Sequence, residues 1–230
     1  MMPFRKIAGL GAGKMNLAFA DAVHTRYPGC TVRMIGRNDP HKAEALADSE
    51  AIAVAVQGAD INDDLVAAIR LAGRPVVWAS TAFDLANNQI LKGHSQPIVY
   101  TRNFDSGMQQ IRRRLHVIGQ MLRTTGVHAD IQLVETHDIT KKDVSATAWM
   151  WKELLGREFE IRSHRIAGAL PSHHLHIQFT DGRPDINIMH EVTSRKPYAE
   201  GMIEGLEMIA RGNLEPGLHR YEDLYDIGHP

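Results

Sequence analysis

The feature that most constrains this chain lies at its start. Arg5 to Gly9 reads as a short buried strand, and Gly9-Leu10-Gly11-Ala12-Gly13-Lys14-Met15 follows it at once. A helical pattern then runs from Met15 to about Tyr27. A strand, closely spaced glycines and a helix start together suit a pyrophosphate. The glycines admit the anion to the backbone, and the helix supplies unbonded N–H groups and the positive end of its dipole. Gly9, Gly11, Gly13, Lys14 and Met15 are therefore expected to bind a dinucleotide. The second strand, Thr31 to Ile35, ends in Gly36-Arg37-Asn38. An acid there would grip the ribose 2′-hydroxyl of NAD. Its absence, with Arg37 in its place, favours a 2′-phosphate, hence NADPH, with NADH as the alternative.

Strands expected at 51–56, 74–78 and 97–100 alternate with helices over 41–48 and 60–71, which argues for a parallel sheet. After about residue 105 the pattern changes. A long amphipathic helix over 108–123 precedes a strand at 129–136 and a helix at 145–155. Strands then follow at 158–165, 173–179 and 186–192, with a hairpin turn at Asp181-Gly182. Residues 197–211 form a last helix whose parent domain the pattern leaves open. The expected fold is α/β: a Rossmann-like domain plus an α+β domain with a mixed or antiparallel sheet.

Composition excludes several classes. The 230 residues carry a formal net charge of -1, so no general basic field suits nucleic acid. Cys30 is the only cysteine, which leaves no internal disulfide or zinc ribbon and fits a reducing cytoplasm. No apolar run approaches a membrane span, and the first residues do not read as a signal peptide. Of His173, His174 and His176 in Ser-His-His-Leu-His, His174 and His176 share a strand face, and a solvated face rather than a metal site is expected. Trp149 and Trp151 are both expected to pack on their helix.

Several separated segments, in order, match one family. Val76-Val77-Trp78-Ala79-Ser80-Thr81-Ala82-Phe83-Asp84 resembles its strand and Gly-Thr-Thr-Gly-Phe-Asp loop. Asn103-Phe104-Asp105-Ser106-Gly107 resembles its Asn-Phe-Ser-x-Gly hinge. Glu135-Thr136-His137-Asp138, continuing through Lys141 and Asp143 to Ser145-Ala146-Thr147-Ala148, resembles its Glu-x-His-His-x-x-Lys-x-Asp-x-Pro-Ser-Gly-Thr-Ala signature. His190 to Arg195 and Glu215-Pro216-Gly217-Leu218 resemble its later segments. The chain thus resembles the 4-hydroxy-tetrahydrodipicolinate reductases of diaminopimelate and lysine synthesis.

The resemblance implies a dinucleotide-binding domain of residues 1–105 and 196–230. It also implies a substrate-binding and oligomerisation domain of residues 106–195, and a homotetramer. Ala79, Ser80, Thr81, Asn103 and Phe104 join the expected cofactor contacts. His137 becomes the general acid, and Lys141 a carboxylate ligand that helps the proton step. Asp138, Ser145, Ala146 and Thr147 become substrate contacts, since hydroxyls and N–H groups at a helix start suit a dicarboxylate. Glu135 reads either as a support behind His137 or as a solvated strand acid; Arg195 reads as a hinge or a surface residue. The family's second histidine is Asp138 here, its glycine is Ala146, and the segment is one residue short. These departures bear on substrate more than on reaction type. Two alternatives stay open: a reductase of another cyclic imine or enamine carboxylate, and a non-catalytic NADP-binding sensor.

Overall fold

A computed structural model describes residues 4–56, 61–80, 91 and 93–228. In chain order the first elements are β1 (Lys6–Leu10), α1 (Lys14–Arg26), β2 (Thr31–Ile35), α2 (Lys42–Asp48), β3 (Ala51–Val54), α3 (Asp63–Ala72), β4 (Val76–Trp78) and β5 (Pro97–Tyr100). Then come α4 (Ser106–Thr124), β6 (Ala129–His137), α5 (Ala146–Leu155), β7 (Ile161–Arg165), β8 (Ser172–Phe179) and β9 (Ile186–Glu191). The chain ends with α6 (Lys196–Ala210), β10 (Gly217–Arg220) and α7 (Tyr221–Gly228). Two compact units result. One holds the chain through Ser106 and again from Arg195; the other is Gly107–Ser194.

The first unit is a parallel sheet in the order β10-β5-β4-β3-β1-β2. Its central strands are short continuous apolar runs, because both faces are covered. Along β3 successive side chains alternate between faces. Ala51 and Ala53 meet Phe19 and Val23 of α1 and Met202, Ile203 and Leu206 of α6. Ile52 and Val54 meet Leu46 of α2 and Leu65, Val66 and Ile69 of α3. Local signals fix the connectors. Asn62 caps α3 by accepting Leu65 N–H at 2.9 Å, and Gly73 ends it at φ 58°. The order reverses at β1, with β2 on one side and β3 on the other, so ligand space is expected beyond the carboxyl ends of those strands.

The last helix, α6, belongs to this sheet because two glycines let it approach. A Cβ at Gly201 would lie 1.7 Å from the Phe104 carbonyl oxygen, and one at Gly205 would lie 3.1 Å from Val77. The edge strand β10 and helix α7 do not show in the sequence pattern. β10 is four residues long with polar His219 and Arg220. α7 buries Tyr221 and Tyr225 together with the acid Glu222, which blurs its apolar stripe.

The second unit is a mixed sheet in the order β7-β6-β8-β9. β6 and β7 run parallel because α5 carries the chain back between them. β8 pairs antiparallel with β6 and β9. Met108, Leu115 and Leu122 of α4 and Trp151 and Leu155 of α5 cover one face, against Leu133, Leu175 and Ile177. Trp149 differs from expectation: it is 47% exposed, while Trp151 is fully buried.

Gly201→Ala should destabilise the first unit by about 3 kcal/mol, the upper end for overpacking, since the obstacle is backbone rather than a yielding side chain. Urea denaturation checks this; an unchanged midpoint would contradict the close approach.

Candidate functional site

In the first unit the glycines have different tasks. Gly9 lies inside β1, where a Cβ would meet Met34 Sδ at 3.0 Å, so its bare backbone serves the packing of β1 on β2. Gly11 has φ 98°, and its Cβ would lie 2.7 Å from the Ala55 carbonyl. Only glycine fits there. Gly13 is the N-cap of α1, makes no side-chain cap bond and faces open space. No acid stands in the first turn of α1, and Lys14 opens it. The buried Asn16 anchors the loop by donating to Leu10 O at 2.5 Å and Gly11 O at 2.8 Å. Sequence reading passed over Asn16, although a buried amide one turn into such a helix is a usable signal.

A cleft of about 450 Å³ opens at the ends of β1, β2 and β3, bordered by Gly11, Gly13, Arg37 and Lys42. Lys42 Nζ donates to Arg37 O at 2.8 Å, so two cations stand where an acid would select a 2′-hydroxyl. A backbone cradle, an uncapped helix start and paired cations fit a phosphorylated dinucleotide.

Met15, Ala79, Asn103, Phe104 and Tyr198 border a smaller hollow in the same unit. Ala79 N–H donates to Val54 O at 2.8 Å, and the Ser80 hydroxyl donates to Val56 O. Asn103 holds its own turn: its Oδ1 accepts Asp105 N–H at 2.9 Å. Phe104 is 2% exposed and packs on Tyr221 at 4.9 Å, so it shapes the core. Burial first, then Asp105, pushes the Tyr198 phenol up to about 12, so it stays a neutral donor. Thr81 lies outside the described residues.

In the second unit, strand alternation turns Glu135 and His137 of β6 and His173 of β8 toward the helices. Ser163, Glu135, His173 and His190 form one polar row across the sheet, because their strands pair in that register. Ser145, the N-cap of α5, meets this row.

Glu135 is fully buried, which excludes a solvated acid. Its Oε1 accepts from Ser163 Oγ at 2.8 Å and Arg165 Nη2 at 2.9 Å, and its Oε2 accepts from Ser145 N–H at 2.9 Å. Burial alone would raise its pKa. The bonds from Ser145, Ser163 and Arg165 outweigh that and hold it at about 2. His137 Nε2 lies 3.6 Å from Glu135 Oε2, buried and without a hydrogen-bond partner. Burial lowers the His137 pKa; Glu135 opposes this, while Lys141 and Arg165 add to it.

His173 lies on the opposite strand face from His174 and His176. It is 2% exposed, and burial, reinforced by His137 and His190, lowers its pKa to about 3. His174 and His176 do point outward. The alternation with buried Leu175 and Ile177 is the signal that separates them. Glu135, His137 and His173 offer ligand atoms within 4.8 Å of one another. Arg165 already supplies the positive charge that a cation would bring there.

The expected substrate contacts separate. Asp138 is engaged locally: Oδ1 accepts from Thr140 N–H at 3.0 Å and Thr140 Oγ1 at 2.7 Å, and Oδ2 accepts from Gly168 N–H at 2.7 Å. Ser145 is engaged as well, its N–H by Glu135 and its Oγ by Ala148 N–H and His173. Ala146 and Thr147 retain the N–H groups at the open start of α5.

A family model described as "Dihydrodipicolinate reductase, C-terminus" matches residues 107–224, the stretch that carries this cluster. The chain belongs to the dihydrodipicolinate reductase family. Its members include a 4-hydroxy-tetrahydrodipicolinate reductase of Thermosipho africanus (strain TCF52B), 30% identical over 152 residues, 65% of this chain and 66% of that protein. The chain thus spans just under two thirds of that relative. A reductase of the same name from Pseudomonas fluorescens (strain SBW25) is 26% identical over 272 residues, covering 97% of this chain and 99% of its own. The fold is also that of the solved dipicolinate-bound dihydrodipicolinate reductase of Paenisporosarcina sp. TG-14, with TM-score 0.70 at 14% identity over 97% of this chain and 100% of that one. This is an oxidoreductase family, and the chain is an enzyme of that class.

The buried cluster makes folding acid-sensitive. His173 takes up a proton near pH 6.5 when unfolded but only near pH 3 when folded. Glu135 does so near 4.5 unfolded and about 2 folded. The unfolded chain binds more protons across both windows, so stability falls as pH drops, first through His173 and then through Glu135. Thermal melts from neutral to acid pH should show a shallower decline for His173→Gln than for the wild type; equal slopes would contradict this.

Proposed function

We propose that this enzyme reduces 4-hydroxy-tetrahydrodipicolinate with NADPH, giving tetrahydrodipicolinate, NADP+ and water in the diaminopimelate route to lysine. The observation that carries the proposal is His137 Nε2, buried and unpartnered beside Glu135, within the segment that matches the family. NADPH, when bound, supplies the hydride. The glycine cradle and the Arg37–Lys42 pair support its pyrophosphate and 2′-phosphate. No helix among the described residues is long and apolar enough to cross a membrane, in keeping with work in the cytoplasm. In the same reading the protein is a homotetramer joined through the open sheet face that carries the exposed Met189.

His137 is the proton donor of this scheme. In the free enzyme burial keeps it mostly neutral at pH 7. A dicarboxylate brings opposite charge to the ring and raises its proton affinity. Lys141 holds one carboxylate, and the N–H groups of Ala146 and Thr147 at the start of α5 hold the other. Glu135 steadies the imidazolium.

A second reading has its own support. Asp138 and Ser145 are engaged within the protein, so fewer donors remain for a dicarboxylate. That favours a related cyclic imine with less carboxylate to hold.

NADPH oxidation with freshly generated 4-hydroxy-tetrahydrodipicolinate tests the proposal. His137→Ala should lower kcat by about 100-fold to 10,000-fold with NADPH affinity unchanged. Absent turnover with intact NADPH binding would remove the lysine-route assignment. Arg37→Ala should weaken NADPH by about 10-fold and NADH far less, since only NADPH presents a 2′-phosphate. Equal losses for both cofactors would contradict that role. The alkaline fall of kcat/KM, which reports the free enzyme, should begin below pH 6.5, and that of kcat at higher pH. Coincident limbs would contradict charging of His137 by the substrate.

A further inference from the structure

His173 lies outside the family signature, yet it stands against Ser145, Glu135 and His137. Its Nε2 is 2.9 Å from Ser145 Oγ and 3.9 Å from Glu135 Oε2. Its ring meets His137 edge-on at 5.4 Å between centroids. Its Nδ1 is buried without a partner. A buried imidazole with one unsatisfied nitrogen costs more than an aliphatic side chain would. Leu175 and Ile177 continue the same inward row as aliphatics, so packing alone does not require a histidine.

Hydrogen-bond accounting assigns its form. Ser145 Oγ accepts Ala148 N–H at 3.0 Å. One lone pair and one proton remain on that hydroxyl. His173 Nδ1 is buried without a partner, and an unpaired N–H there would cost more than an unused lone pair, which places the ring hydrogen on Nε2. The remaining lone pair faces His173, so His173 Nε2 carries the hydrogen and donates it.

We propose that His173 is a positioning residue: as a neutral Nε2–H donor it locks Ser145 onto Glu135, and so holds the Glu135 carboxylate toward His137. Ser163 and Arg165 tie down Oε1, which leaves Oε2 as the oxygen facing His137. Around His137, Glu135 favours the charged ring, while Lys141 and Arg165 oppose it. His173 in turn faces His137, His190, His174 and Glu135. A second charge on His173 would repel one on His137, so its neutrality belongs to the role. The proton taken up by the cluster resides on His137.

The inference rests on the proposed role of His137, but its test does not need turnover. Ring 15N spectra of the full chain follow the His137 titration directly. His173→Leu should lower its midpoint by about one pH unit, about 10-fold in proton affinity. His173→Gln, whose amide can donate to Ser145 in place of Nε2–H, should hold it within a few tenths. Ser145→Ala should reproduce the leucine shift, and the double variant should add nothing. If His173→Leu fails to fold, the glutamine and Ser145→Ala variants decide. An unmoved midpoint in His173→Leu or Ser145→Ala, a glutamine shift as large as one unit, or additive shifts would overturn the proposal. These spectral shifts in a protein that does not reduce 4-hydroxy-tetrahydrodipicolinate would leave His173 in its role and remove the substrate assignment alone.

Discussion

The Glu135 carboxylate is ionised and has no exposed surface, and the second unit is organised around satisfying it. An unpaired buried charge costs several kcal/mol (order of magnitude), so its partners cannot be optional. Arg165 supplies the countercharge, and the same guanidinium also binds the backbone oxygens of Lys141 and Asp143. One ion pair therefore fixes the strand β7 and the loop that leads into α5. Ser145 closes the circle, since its N–H reaches Glu135 while its oxygen caps the helix. His137 and His173 take their surroundings from this frame.

The first unit depends on absent side chains instead. Gly11 exists so that the loop can pass the Ala55 carbonyl, and Gly201 so that α6 can meet Phe104. The first approach shapes the cradle, and the second brings the end of the chain back to the sheet. A fixed cradle costs little reorganisation when an anion arrives, which is how rigid backbone donors give affinity.

Much of this was legible in sequence. The strand–glycine–helix start and the alternation of strands and helices follow from local rules that tertiary structure did not override. What escaped depended on register or distance. Glu135 could be read either way, because only pairing with β7 brings Ser163 and Arg165 to it. Strand period two puts His174 and His176 on one face, but that His173 on the other face enters a buried cluster depends on the pairing of β8 with β6 and β9. That Gly9 falls inside β1 and Gly11 beyond it does not follow from the spacing of the glycines alone. The edge strand β10 has no apolar run of its own and forms only because β5 offers a free edge.

The proposed chemistry requires a neutral, buried His137 that gains its proton together with a dicarboxylate. Calorimetric titration with dipicolinate at neutral pH, repeated in buffers of different ionisation enthalpy, counts the protons taken up on binding. Uptake approaching one proton, abolished in His137→Gln, is the predicted result. Binding with no net proton uptake, or uptake unchanged in that variant, would contradict it.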